Sequence, residues 1–372
     1  MSARFLTVVL ERAFNMRDGF GREIDYMRIS VIDSCNLNCY YCNPCDNNEH
    51  CHALNILSVK EVLCIVRAAT RLGIKHFRLT GGEPLLHPQL DEMVLQIKKI
   101  PGVSSVSLTT NAVLLAQHAK WLKEAGIDSI NVSLDTIDAS EYERITKKPL
   151  LEEVKHGINA AIECGIRVKI NVVLTPQTDV VALTRYASKK GTDIRFIEMM
   201  PVGEGHTNGV EPYEKVIGAL LEVYGTPCHI DTENREEINS GYNNSDNGPA
   251  EYYSFHGLNI RVGLIQAIHG KFCDTCNRIR VTADGRLMPC LGSSVTMDLV
   301  PDSWDFADDV EKDFAIVRAL RAAIKAKPRC HNFNDNAVTY TKTTETKTVE
   351  TKATELKAAE VNAARNMSRI GG

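Results

Sequence analysis

The stretch SCNLNCYYCNPC, residues 34–45, sets four thiols and two tyrosines into twelve positions. Within it Cys35, Cys39 and Cys42 form a C-x3-C-x2-C array directly after a β-branched run that reads as a strand. Structural zinc sites usually present paired C-x2-C elements and four ligands. Three closely spaced thiolates match three irons of a 4Fe-4S cube instead, and leave the fourth iron open to another ligand. Ordinary buried thiols are the alternative. A second set lies in KFCDTCNRIRVTADGRLMPC, where Cys273, Cys276 and Cys290 make a C-x2-C-x13-C array beside Arg278 and Arg280. The two arginines suit an anion bound at an open iron. A zinc knuckle is the other reading, with His269 or Cys330 as its fourth ligand. Cys45 and Cys51 are left over, as spare thiols, alternative ligands or a redox pair.

Twelve cysteines in 372 residues fall below the range of disulfide scaffolds. The start MSARFLTVVLERAFNMRDG carries charges through its apolar part and makes a poor signal peptide, so a reducing cytoplasm is the expected setting. At 44% hydrophobic and 24% charged residues the composition is that of a soluble globular protein, and no apolar run reaches the length of a membrane span. A net charge of −4 and a pI near 6.3 argue against a broad basic face for nucleic acid, while permitting an arginine-lined pocket for one small anion.

These residues need a frame. Runs at 26–33, 75–80, 104–110, 128–134, 167–174 and 193–200 read as strands, and helical patterns lie between them. In SVKEVLCIVRAATRLG, Ser58 and Glu61 have capping-box spacing, and Val62, Ile65, Val66 and Ala69 share a face. Six strands with intervening helices imply a parallel sheet, either doubly wound or an incomplete barrel, with ligands at the carboxyl ends of the strands. Residues 1–204 are read as this unit, 205–250 as a polar connection and 251–330 as a second compact region holding the second thiol set. Residues 331–365 form a low-complexity Thr/Lys/Glu linker, and 366–372 a glycine-ended tail.

The first thiol array, with Tyr41 before its last cysteine, and the later LTGGEP resemble the radical S-adenosylmethionine (SAM) superfamily. The order of YMRISVIDSCNLNCYYC, FRLTGGEPLL, LTTNA, INVSLD, VKINVV, RFIEMMPVG, GPAEYY, KFCDTCNRIRV and the final IGG narrows this resemblance to the GTP 3′,8-cyclase family of molybdenum cofactor biosynthesis. The match runs from about Phe20 to Pro328 and resumes at the end.

The resemblance implies an α/β fold: an incomplete (βα)6 TIM-like barrel with a C-terminal region carrying a second iron-sulfur cluster. It implies two 4Fe-4S clusters, one binding SAM and one binding substrate, held by Cys35, Cys39 and Cys42 and by Cys273, Cys276 and Cys290. SAM contacts are implied at Tyr41, Gly81, Gly82, Glu83, Ser133 and Met200. GTP contacts are implied at Arg28, Arg78, Thr109, Lys169, Arg195, Arg278 and Arg280, the last two also catalytic together with Gly371 and Gly372. Physically, Gly81 and Gly82 permit close backbone approach, and the basic residues are expected to follow or end strands and point into the barrel mouth. The implied reaction turns GTP into (8S)-3′,8-cyclo-7,8-dihydroguanosine 5′-triphosphate. Implied partners are an electron donor protein, cyclic pyranopterin monophosphate synthase as recipient of the product, and a second copy in a homodimer, with neither nucleic acid nor membrane. Two positions depart from the family pattern: His76 stands for a lysine, and Ala112 for a glycine, a change that is costly if the site needs positive φ.

Overall fold

Strand β1 (Tyr26–Ser30) buries Met27 and Ile29 on one side and turns Tyr26, Arg28 and Ser30 to the other. The computed structural model, which describes residues 16–42, 55–201, 210–230, 248–293, 296–299 and 309–333, repeats this alternation across a sheet. Strands β2 (His76–Thr80), β3 (Ser105–Thr110), β4 (Ser129–Ser133), β5 (Arg167–Val173) and β6 (Asp193–Ile197) pair in parallel and in chain order. Register places Arg28 opposite Arg78, Arg78 opposite Ser107, Thr109 opposite Asn131, Asn131 opposite Lys169, and Asn171 opposite Arg195. Side chains alternate with a period of two, so all of these share one face. Phe77, Leu79, Val106, Leu108, Ile130, Val132, Ile170 and Phe196 make the buried apolar face on the other side. A parallel sheet packed on both faces reads as continuous apolar runs. Here one face is polar and charged, which makes it a binding surface and not a packing layer.

Helices between the strands supply the apolar partners of that sheet. The first, Val59–Thr70, starts at the expected capping box: Ser58 Oγ accepts from Glu61 N (3.3 Å), and Glu61 Oε2 accepts from Ser58 N (2.6 Å). Helices Leu90–Lys98, Leu115–Glu124, Leu151–Glu163 and Val180–Lys190 follow in the same βα rhythm, each contributing buried residues to the core.

The region after residue 205 does not stand apart from this sheet. Strand β9 (Val262–Ile265) pairs parallel to β6, and β10 (Arg278–Val281) pairs parallel to β1, so C-terminal strands extend both flanks of the six-stranded set. Strands β7 (Cys228–Ile230) and β8 (Glu251–Ser254) continue beyond β9, and β11 (Arg286–Met288) and β12 (Met297–Asp298) beyond β10, all antiparallel. The stretch read as a polar connection also contains a helix, Pro212–Tyr224, in addition to β7. Glu211 caps it by accepting from Tyr213 N and Glu214 N, and Val216, Ile217 and Leu220 are its buried face. Polar flanks on either side hid this short amphipathic unit.

The twelve-stranded pairing runs in one line from β12 to β7. The sheet nevertheless curls. Arg195 on β6 feels the charges of Arg78 on β2 and Tyr26 on β1, although four strand spacings in a flat sheet would separate β2 from β6 by about 19 Å. Coulombic influence falls with distance, so these groups lie much nearer than a flat sheet would allow. The polar face is therefore the inside of the curl.

Candidate active site

The N-terminal thiol loop leaves the carboxyl end of β1 and is tied at once to the turn after β2. Gly82 N donates to Ile32 O (2.8 Å) and Glu83 N to Ser34 O (2.8 Å). A Cβ on Gly81 would lie 2.4 Å from Ile32 O, and one on Gly82 would lie 2.3 Å from Ser34 O. The close approach that these glycines permit is thus made by the stem of the cysteine loop itself. Glu83, expected among the cofactor contacts, is fully buried and gives its carboxylate to the protein. It accepts from Leu85 N (3.0 Å), Thr110 Oγ1 (2.7 Å) and Asn111 N (2.7 Å), and burial pushes its pKa up to about 7. Asn111 passes the brace on, donating from Nδ2 to Asn36 Oδ1 (2.8 Å) and weakly to Cys35 Sγ (3.8 Å).

Cys35 is exposed, and Cys39 and Cys42 are half-buried. Desolvation in the loop pushes the Cys42 thiol up to about 11. The three sulfurs lie within electrostatic reach of one another. They do not converge as a single ion demands: among the described residues, the trio with donor atoms within 4.8 Å of one another is Cys273, Cys330 and His331. A wider thiol triplet fits a multi-iron cluster. Beside it, Tyr41 donates its hydroxyl to Asp135 Oδ2 (2.5 Å), and Asp135 also accepts from Val173 N (2.7 Å). Burial raises Asp135 to about 6. Tyr41, Ser133, Asp135, Asn111 and Cys39 line one small cleft, so two of the expected cofactor contacts meet there. Met200 is half-buried just beyond β6.

Inside the curl the basic residues converge. Arg78 donates from Nε to Tyr26 Oη and from Nη1 to Thr109 Oγ1 (3.5 Å), while Arg195 Nε donates to Asn171 Oδ1 (3.0 Å). Burial, joined by neighbouring cations, lowers Arg28, Arg280 and Lys169, the last to about 5 and Arg280 to about 10. Arg195 Nη2 and Arg280 Nη1 are buried without a hydrogen-bond partner among the described residues. Desolvated cations so placed are costly unless an anion joins them. Arg28, Arg78, Lys169, Arg195 and Arg280 sit within their strands, not at the mouth where the sequence had put them. Strand alternation, not a loop, aims them inward.

Cys273 and Cys276 precede β10, which runs parallel to β1 with Arg278 opposite Tyr26. The second thiol set therefore lies at the opposite end of the sheet from Cys35, Cys39 and Cys42, and the cationic face spans the interval. From Tyr26 to Ser30 that interval measures about 13 Å along the strand. Burial pushes the Cys276 thiol up, but Lys327 and Arg278 beside it outweigh that and leave it lowered. Lys327 is itself buried and donates to Arg278 O (2.8 Å) and Pro289 O (2.9 Å), joining the neighbours of Cys276 and Cys290. Cys273 is pushed up to about 11 by burial and feels Cys290. A cavity of about 490 Å³ opens here, lined by Arg22, Asp25, Phe272, Cys276, Asn277 and Arg278 among others. Of the two candidate fourth ligands, His269 is engaged by Glu198, and Cys330 lies with its sulfur 3.3 Å from that of Cys273. Arg22, Lys327 and His331 had no signal in the sequence beyond their residue types, whereas Asn111 and Asp135 lie in the LTTNA and INVSLD motifs without having been singled out. Cys45, Cys51, Gly371, Gly372 and the repetitive linker lie outside the described residues.

Comparison with known proteins agrees with this geometry. The family model of the Radical SAM superfamily matches residues 29–183, and that of Molybdenum Cofactor Synthesis C matches residues 192–333. Among solved structures, Streptococcus suis SuiB superposes with a TM-score of 0.52 at 16% identity over 80% of this chain. The chain spans 65% of the length of SuiB, and the likeness is one of fold. The curled sheet with a three-thiol loop after its first strand is thus a radical SAM enzyme. GTP 3′,8-cyclase of Clostridium perfringens (strain SM101 / Type A) is 36% identical over 322 residues, 86% of this chain and 95% of that protein. The corresponding protein of Listeria monocytogenes serovar 1/2a is 36% identical over 320 residues, 85% of this chain and 92% of its own. The chain belongs to the GTP 3′,8-cyclase family. No helix among the described residues is long and apolar enough to cross a membrane.

Proposed function

We propose that this chain converts GTP into (8S)-3′,8-cyclo-7,8-dihydroguanosine 5′-triphosphate, the first step toward the molybdenum cofactor. The observation that carries the reading is the row of cations on one face between two sets of three thiols, with Lys169, Arg195 and Arg280 buried and Arg28 and Arg78 half-buried beside them. Cys35, Cys39 and Cys42 would hold the 4Fe-4S cluster that binds SAM, and Cys273, Cys276 and Cys290 a second one that binds substrate. When bound, the first with SAM supplies the radical that takes the hydrogen from ribose C3′, after which C3′ bonds to C8 and one electron and one proton complete an isomer of GTP.

The chain's own residues prepare that step. Tyr41, Gly81, Gly82, Ser133 and Met200 surround the SAM position, with Glu83 and Asp135 bracing it from behind. The triphosphate binds the cationic face, and there its charge offsets the desolvation of the arginines. Lys169, neutral in the ligand-free protein, takes up a proton as phosphate enters. Arg278 and Arg280 hold the base end beside the second thiol set, and Thr109 helps to fix Arg78. Fixing C3′ and C8 of one molecule close together is the main rate contribution asked of the fold. Gly371 and Gly372 belong to this reading as a tail that reaches the same channel, as do an electron donor protein, cyclic pyranopterin monophosphate synthase as the next enzyme, a homodimer and a cytoplasmic setting. The test is anaerobic incubation of reconstituted protein with SAM, reductant and GTP. A nucleotide of the same mass as GTP but a different absorbance spectrum is expected; 5′-deoxyadenosine formed while all GTP is recovered unchanged rejects the substrate.

A further inference from the structure

The segment after helix Asp309–Lys325 is pinned onto the second thiol loop by two buried cations. Arg22, held at Nε by Asp18 Oδ2 (2.6 Å), donates from Nη1 to Cys273 O (2.5 Å) and Arg329 O (2.9 Å), and from Nη2 to Pro328 O (2.6 Å). Lys327 makes its two carbonyl contacts on the other side. These bonds deliver Cys330 and His331, neither of which the cluster roles use, to Cys273. The sulfurs of Cys273 and Cys330 are 3.3 Å apart, and one donor atom from each of Cys273, Cys330 and His331 lies within 4.8 Å of the others.

His331 Nε2 is 2.7 Å from Ala267 O. A carbonyl only accepts, so Nε2 carries the proton and Nδ1 the lone pair, which among the described residues receives a long contact from Phe333 N (3.4 Å). Proteins commonly fix a metal-ligating imidazole by giving its other nitrogen to a carbonyl in this way. Two thiols and one imidazole make a soft donor set of the kind zinc prefers, with water or a further side chain as the fourth ligand.

We propose that Cys273, Cys330 and His331 form a mononuclear site for a zinc-class divalent cation, an alternative to the cluster role of Cys273. The exclusivity rests on the reading that Cys273 is a cluster ligand; the cation site itself does not. Binding replaces two thiol protons with one divalent ion, releasing both protons to solvent. While occupied, the site withdraws Cys273 from the second thiol set and keeps it from pairing with Cys330.

Full-length protein, freed of iron under anaerobic conditions and carrying serine at positions 35, 39 and 42, is titrated with Co²⁺. One tetrahedral thiolate-bound cobalt per chain is expected. Cys330→Ser and His331→Ala should each weaken it by about tenfold or more, and Cys290→Ser should leave it unchanged. Cobalt binding that ignores Cys330→Ser, or that falls with Cys290→Ser as much as with Cys330→Ser, overturns the proposal. X-ray absorption of the otherwise unaltered chain at one equivalent of Zn²⁺ is a second measurement: two sulfurs with an imidazole support the site, and three or four sulfurs contradict it. GTP conversion by reconstituted protein is scored separately. Lost conversion with intact cobalt binding fails the functional reading alone, and the reverse fails the cation site alone.

Discussion

Gly82→Ala tests whether the glycine pair after β2 serves the cysteine loop. A Cβ at residue 82 would lie 2.3 Å from Ser34 O and 2.5 Å from Asp33 O, both backbone atoms with no flexible end to move. Relief means parting the two turns that are joined by Gly82 N to Ile32 O and Glu83 N to Ser34 O. Overpacking costs about 1–3 kcal/mol, and two weakened hydrogen bonds add about 1 kcal/mol each, so the variant should lose about 3–5 kcal/mol. In a chain of this size that lowers Tm by roughly 4–6 °C. Cys35 follows Ser34 directly, so iron retained per chain after anaerobic reconstitution should fall with it. Gly218→Ala is the control: it is exposed within helix Pro212–Tyr224, and its added Cβ meets nothing within 4 Å. It should gain about 0.5–1 kcal/mol from the lost backbone freedom of glycine. Thermal melts and iron assays on both variants decide the matter. A Gly82→Ala protein that melts with the parent and keeps its iron refutes the reasoning, as does an equal loss at Gly218.

Three further outcomes follow from the same structure. Ala112 adopts φ 64°, a left-handed conformation that strains an L residue, so Ala112→Gly should raise Tm by roughly 1–3 °C; an unchanged or lower Tm contradicts it. Lys169 titrates at about 5 in the fold against 10.5 as its ordinary value. The folded chain therefore binds fewer protons than the unfolded one between those pH values, and ligand-free stability falls as pH drops through that window. Lys169→Met should stabilise the ligand-free protein at pH 7 and flatten its denaturation profile over that range, and an unchanged slope counts against it. GTP binding at pH 7 should also take up about one proton, seen by calorimetry in two buffers of different ionisation enthalpy. Lys169→Met should abolish that uptake, and its absence in the parent chain rejects the role given to this lysine.

The six-strand rhythm and the capping box at Ser58 were legible because period-two and helical patterns are local properties. The two thiol arrays were legible because their spacing is local as well. What the sequence did not disclose depends on register. Family resemblance marked Arg28, Arg78, Lys169 and Arg195 as substrate contacts, but their place within the strands, on one face and turned toward one another by the curl, appears only with the parallel pairing. Nor did 205–250 announce its helix, since thirteen amphipathic residues sit there between polar flanks. Arg22 and Lys327 carry no motif at all. Their function is to satisfy carbonyls from segments hundreds of residues away or on another strand, and such pairings exist only in three dimensions. The opposite-end arrangement of the thiol sets was hidden for the same reason: it follows from β10 running parallel to β1, a pairing between the two ends of the described chain.

The hydrogen that this fold is to remove from GTP is the one at ribose C3′. Protein reconstituted anaerobically with iron and sulfide is mixed with SAM, a reductant and GTP deuterated at C3′, and the 5′-deoxyadenosine is weighed by mass spectrometry. 5′-Deoxyadenosine carrying the deuterium is expected, formed together with the cyclised nucleotide. Cleaved SAM whose deoxyadenosine contains no deuterium would contradict the proposed function, leaving the radical machinery standing and the substrate assignment overturned.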